Sequence, residues 1–157
     1  MKPNKEYLVI DIPVFDDIIL YVVGDIGKCV KGFLETEYPK NKEFFDGVDT
    51  TLNLAYSDEL KQSKAFTART IIDLPENRSA SLVFIKANDD SARKTVIHES
   101  IHAAWLFLDK KGINVDIDND EILCYLVEFI TEAIWEYREK RKKYLKFLGE
   151  RKKDKDE

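Results

Sequence analysis

Apolar and polar positions divide the 157-residue chain into a strand-rich first part and a helical second part. Residues 7–12 (Tyr-Leu-Val-Ile-Asp-Ile) and 18–23 (Ile-Ile-Leu-Tyr-Val-Val) are short runs of β-branched and aromatic side chains, types that fit a pleated surface, and they predict two strands. Pro13 separates the runs, Asp16-Asp17 marks the turn of a hairpin, and Gly24 ends the second run. The period then changes. Ile26, Val30, Phe33 and Leu34 fall three or four apart and predict a helix over 25–37, stopped by Tyr38-Pro39. Residues 40–63, with Phe44-Phe45-Asp46-Gly47, have no decisive period. Residues 66–74 and 81–85 read as strands again, with Pro75-Glu76-Asn77-Arg78 between them.

A helix over about 90–110 follows. Asn88, Asp89, Asp90 and Ser91 offer N-cap oxygens, residues 92–110 contain neither Gly nor Pro, and Lys110-Lys111-Gly112 supplies C-terminal cations and a glycine just past the end. Val96, Ile97, Ile101, Ala104, Trp105 and Leu108 recur at helical steps and predict the face turned to the core. After a connection at 113–121, Ile122, Leu123, Leu126, Val127, Phe129, Ile130, Ala133 and Ile134 predict a second, long helix. Strands followed by a helix pair indicate an α+β fold, a single domain over 1–148 with a charged tail at 149–157.

The two histidines of the chain, His98 and His102, stand in Thr95-Val96-Ile97-His98-Glu99-Ser100-Ile101-His102, an H-E-x-x-H motif. Four residues is one helical turn, so both imidazoles can reach one metal ion, with Glu99 one step round as the general base of a hydrolytic zinc site. Such a site usually has three protein ligands and an open position for water. The metzincin continuation is absent, because Trp105 and Leu108 stand where its glycine and third histidine would be. Cys29 and Cys124 suit a thiolate site rather than a hydrolytic one. A carboxylate is the remaining choice. A short connection makes helices antiparallel neighbours, which brings the start of the second near His102. Glu121 is the best-placed acid and Glu128 the reserve. Asp118-x-x-Glu121 also matches a capping box, in which Glu121 only bonds back to the N-cap, but a site that still lacks a ligand favours Glu121 as the metal donor. Tyr125, one turn beyond Glu121, is placed either to stabilise an oxyanion or to pack as a core tyrosine.

With these residues in view, His98-Glu99-x-x-His102 followed by Glu121 resembles the gluzincin branch of zinc metallopeptidases. The stretch 95–130, with His98-Glu99-Ser100-Ile101-His102-Ala103-Ala104, Gly112-Ile113, Asp120-Glu121 and Tyr125-Leu126, is similar to small metallopeptidase-like proteins of bacteriophages and prophages, and less closely to the ImmA/IrrE-like peptidases. The resemblance implies zinc, where the residue types alone also admit other divalent ions. It further implies peptide-bond hydrolysis of a protein or peptide substrate, with 81–85 or 66–74 as the edge along which an extended peptide lies. The first ninety residues carry no part of it.

Composition narrows the remaining classes. At 44% apolar content the chain can bury a core, no apolar run approaches the roughly 18–20 residues of a membrane span, and the start lacks a signal-like apolar stretch, so a cytoplasmic protein with reduced cysteines is expected. Charge is segregated: residues 138–157 carry ten Lys or Arg against five acids, and the rest of the chain is acidic. That basic end reads as a solvated helix in preference to a nucleic-acid contact. Asp116-x-Asp118-x-Asp120 lacks the glycine and the final glutamate of a calcium loop. Two further classes remain beside a peptidase: a zinc-binding protein that hydrolyses nothing, and a metal-free interaction module.

Overall fold

The two opening apolar runs pair as a hairpin in the computed structural model, which describes residues 5–58, 65–74 and 78–153. Strand β1 (Tyr7–Ile12) lies antiparallel to β2 (Asp17–Val22), with Tyr7 opposite Val22 and Ile12 opposite Asp17. The turn is longer than an Asp16-Asp17 dipeptide: Pro13–Phe15 winds into a 3-10 turn and Asp16 takes a left-handed φ of 48°, a region that Asp tolerates, while Asp17 already belongs to the strand. Strand β4 (Arg78–Ala87) inserts parallel to β2, Ile19 facing Val83, and β3 (Ala65–Leu74) pairs antiparallel on its outer side. The order is β1-β2-β4-β3, which makes β4 internal and β3 an edge.

Helices cover both faces of this sheet. Helix α1 (Ile26–Glu37) and helix α2 (Val48–Ala55) pack on one face, where Leu20, Val22, Leu82 and Phe84 meet Ile26, Val30, Phe33 and Leu52. Helix α3 (Arg93–Lys110) and helix α4 (Asp120–Lys153) pack on the other, where Ile19, Tyr21, Val83 and Ile85 meet Val96, Phe107, Ile130 and Tyr137. Residues 18–23 are apolar without alternation because successive side chains feed two different cores. The indeterminate stretch after Pro39 is a 3-10 segment, Pro39–Phe45, followed by α2. Asn53 on α2 is tied to the start of α1: its Nδ2 donates to both Asp25 oxygens at 3.1 Å, and its Oδ1 accepts from the Gly27 N–H at 3.2 Å. The mixed sheet with its helices is an α+β fold, and no described helix is long and apolar enough to cross a membrane.

The ends of α3 separate into one expectation met and one overturned. At the C-terminus, Ile113 N–H donates to Leu108 O and Gly112 N–H to Asp109 O, with Gly112 at φ 71°, a Schellman closure. At the N-terminus the helix begins at Arg93 after Ala92, with no side-chain cap. The polar residues 88–91 have other partners: Asn88 accepts from Lys86 Nζ at 3.0 Å, Asp89 pairs with Arg141 at 3.1 Å, and the Ser91 carbonyl accepts from Arg138 at 2.6 Å. Those bonds lock α4 against the entry to α3. The Tyr137 ring sits edge-on to Tyr21 at 5.8 Å, and burial pushes its phenol up to about 12. Helix α4 runs on to Lys153, past residue 149 where a charged tail was expected to begin, and no described residue beyond Arg141 is buried.

Where α3 ends, Lys110 and Lys111 place their ammonium groups 2.6 and 2.9 Å from Asp17 Oδ2, joining helix to hairpin. Burial alone raises the Asp17 carboxyl, but the bonds from Lys110 and Lys111 outweigh it and hold it below its ordinary value. A depressed folded value means that the pair stabilises the fold above the unfolded carboxylate range and loses that contribution as pH falls through the folded value. Asp17→Asn is expected to lower stability at pH 7 by about 1 kcal/mol, a figure discounted for partial solvent screening. Denaturant melts at pH 7 and near pH 3 check this, because the difference between the two proteins should disappear in acid.

Candidate metal centre

The motif helix packs on β3 and β4 with one side and on α4 with another, so a wide arc of it is covered. Val96, Glu99, Ser100, Ala103, Ala104, Phe107 and Leu108 are buried, whereas Ile97, Ile101 and Trp105, expected in the core, are exposed. The face is thus rotated from the one its apolar residues suggest. Two small polar solutions permit this: Ser100 Oγ donates to the Val96 carbonyl at 2.9 Å, and Glu99 finds a hydroxyl on β3.

His98 and His102 project from the opposite, exposed arc. Their Nε2 atoms are 3.1 Å apart and their rings stand at 80° with centroids 4.7 Å apart. Two zinc–nitrogen bonds of about 2.0–2.1 Å at a tetrahedral angle would separate the nitrogens by roughly 3.3 Å, so the pair fits a divalent transition ion without a change of helix geometry. In the metal-free state the same approach requires one imidazole to donate and the other to accept.

Glu99 turns away from that arc into the seam between α3 and β3, where it is 6% exposed. Thr67 Oγ1 donates to Glu99 Oε2 at 2.8 Å and lies 2.9 Å from the Glu99 backbone oxygen. A buried carboxylate left without a donor is costly, and this hydroxyl supplies one. Arg69, two residues along β3, pairs with Asp109 at 2.9 Å and fastens the same seam near the end of the helix. Thr67 was not among the residues singled out from sequence. A threonine in a strand is ordinary, and a contact spanning 32 positions leaves no local signal.

The acids on α4 are not brought to the histidines. Arg93 lies over the Trp135 ring at 5.6 Å and Arg138 bonds Ser91, which sets the two helices antiparallel with His102 level with about residue 127. Glu121 is therefore displaced by roughly 9 Å along the axis, at 1.5 Å per residue. It is exposed in the first turn of α4. The capping box does not form either. Helix α4 begins at Asp120, and the Asp118 N–H donates to Asp116 Oδ1 in a turn closed by Asn119, whose amide bonds the Asn114 carbonyl at 2.7 Å. Tyr125 and Glu128 border a cleft formed with Pro13–Phe15. Among the described residues no group of three His, Cys, Asp or Glu converges on a metal position. Cys124 is exposed and Cys29 buried, and both are free thiols. Comparison with protein-family models, curated proteins and solved structures finds no match to this chain.

If the Thr67 hydroxyl is what makes Glu99 tolerable in the seam, Thr67→Val should cost about 1–3 kcal/mol, the penalty for orphaning a buried acceptor. Thr67→Ser, which keeps the donor, should lose less than half as much. Urea unfolding of the two variants measures the difference, and a Thr67→Val protein as stable as the wild type would show that the hydroxyl is not what makes Glu99 tolerable there.

Proposed function

We propose that this chain is a zinc-dependent hydrolase of peptide bonds, with His98 and His102 holding the metal and an extended polypeptide substrate lying along β3. The observation that carries the reading is the convergence of two exposed imidazole nitrogens, 3.1 Å apart, on a helix packed beneath a sheet edge. An edge strand presents unpaired backbone N–H and C=O groups, and an extended peptide satisfies them by adding as a further strand.

Zinc bound at such a site acidifies a coordinated water and polarises a carbonyl. The chain's own residues supply the rest. His98 and His102 use Nε2 lone pairs and so act as neutral imidazoles. Glu99 is the carboxylate nearest to them in sequence, and in this role it accepts a proton from water and returns it to the leaving amine. Thr67 holds Glu99 Oε2 in the seam between α3 and β3, so this role requires the Glu99 side chain to leave that bond and swing toward the histidines. Tyr125, turned to the cleft beside Pro13–Phe15, takes no part. Glu121 is not required as a ligand, and the two histidines are the proposed protein donors.

A second reading has its own support. Glu99 is buried and held by Thr67, and among the described residues no carboxylate joins the histidines, which suits a protein that holds zinc without hydrolysis. Zinc titration and cleavage of a peptide library separate the two. His98→Ala or His102→Ala should abolish zinc binding, and full occupancy in either would overturn the site. Glu121→Gln should leave zinc affinity unchanged, and a large loss would restore Glu121 as the third ligand. Glu99→Gln should keep zinc and lower cleavage by at least about a hundredfold, the lower range for loss of a general base. Zinc-loaded wild-type protein that cleaves nothing leaves the second reading in place.

A further inference from the structure

The outward arc of α3 is apolar around the histidines and carries almost no charge. Ile97, Ile101 and Trp105 follow one another at four-residue steps and form a ridge beside His98 and His102, 38%, 39% and 46% exposed. Apart from the histidines, the one ionisable side chain in residues 95–108 is Glu99, which is buried against β3. The two imidazole Nε2 atoms, 3.1 Å apart, are two donors for an ion that takes four in a closed tetrahedral site. Among the described residues no third His, Cys, Asp or Glu joins them. This face therefore leaves an apolar ridge to be covered and two metal positions to be filled.

We propose that a second copy of the chain does both: two α3 helices face each other across a two-fold axis, and His98 and His102 of each copy together hold one zinc ion. The inference rests on the zinc-binding part of the function proposed above. Three observations favour a second copy as the occupant. A partner must bring two metal donors beside an apolar patch, and this same face presents two imidazoles one helical turn apart next to Ile97, Ile101 and Trp105. Between Lys94 and Asp109 the arc exposes no ionised side chain, so it meets itself without repulsion, whereas a charged partner finds nothing there to pair with. A two-fold axis through the metal supplies both missing donors in one operation and sets ridge near ridge, the closure of an isologous dimer. The line between the two Nε2 atoms of one chain runs along its helix, and opposite edges of a tetrahedron are perpendicular, so the helices cross near a right angle with Ile97 and Ile101 beside the crossing point. The patch is too small to hold two chains alone; the metal bonds supply the affinity and the ridge keeps water from them. Four imidazoles leave no position for water, so the pair is the closed form of the site, and hydrolysis belongs to the zinc-loaded single chain.

Sedimentation velocity of the full chain, first stripped with a chelator and then titrated with zinc, tests the pairing. The stripped protein should be monomeric and should dimerise with about one zinc ion per two chains, and cobalt in place of zinc should give the visible absorption of a tetrahedral site. His102→Ala should abolish the dimer. Trp105→Lys changes an exposed position outside the ligand set and brings two cations into the contact, so the dimer dissociation constant should rise at least about tenfold while zinc still binds. Thermal melts confirm that the variants fold, and Ile97→Lys reads the same contact if Trp105→Lys does not. One zinc ion per chain on a protein that stays monomeric overturns the pairing and leaves the proposed hydrolysis standing, whereas no zinc binding overturns both. A dimer that survives chelation or the loss of His102 overturns the shared metal, and a dimer that cleaves peptide as fast per chain as the monomer overturns its closed form.

Discussion

Covering both faces of one four-stranded sheet is the constraint from which the arrangement of the chain follows. In β2 the residues Ile19 and Tyr21 point into one core and Leu20 and Val22 into the other, and each core needs its own helix pair. On the second face, α3 must lie across β3 and β4 and also meet α4, so its buried arc is wider than a single apolar stripe. Glu99 falls inside that arc. His98 precedes it by one residue, about 100° round the helix, and His102 follows by three, so both histidines fall outside. The covering requirement thus separates the members of the motif: the carboxylate goes into the seam with β3, and the imidazoles face solvent together.

A carboxylate in that seam contributes less to stability than a well-packed apolar side chain, because its desolvation must be offset by partners. Thr67 offsets part of it with one hydroxyl. Stability alone gives no reason for Glu99 at this position, and its nearness in sequence to two convergent imidazoles does. Polar groups held in costly environments concentrate where chemistry or binding requires them, and that is the physical content of the hydrolase reading.

Much of the architecture was legible from periodicity. The hairpin of residues 7–23, the helix after Asp25, the strands on either side of residue 76 and the two long helices all correspond to described elements, because the period of each segment's apolar residues matches the element it forms. Residues 40–55 were not legible, since α2 is short and is placed by Asn53 bonding to Asp25, a contact with no local pattern. The two histidines were legible because a one-turn spacing carries its own geometry. The buried face of α3 was misjudged because Ile97, Ile101 and Trp105 share a stripe, while the true arc is set by partners on β3 and α4 that hydrophobicity does not reveal. Glu121 was placed near His102 from loop length alone. The connection 111–119 is folded on itself by the Asn119 bonds, so α4 starts level with the last turn of α3 and not with its middle.

Helix α4 carries the remaining tension in the fold. Its first half is held by Leu126, Ile130, Ile134 and Tyr137 in the core, and its last anchored residues are Arg138 and Arg141, which bond the loop before α3 and the Lys5 carbonyl. Past that point the helix continues for twelve residues without burying one described side chain. Helical stretches of this length are marginal in water when nothing packs on them. Acids near the start and lysines near the end complement the helix dipole, but each is worth only a few tenths of a kcal/mol when exposed. Local electrostatics therefore favour the helix without accounting for the leucines along its last turns. Leu145 and Leu148, 43% and 37% exposed, contribute through the covered part of each side chain, and Leu145 borders a cavity with Trp135, Arg138 and residues 89–91, so the end of α4 is held by partial burial in addition to its charges.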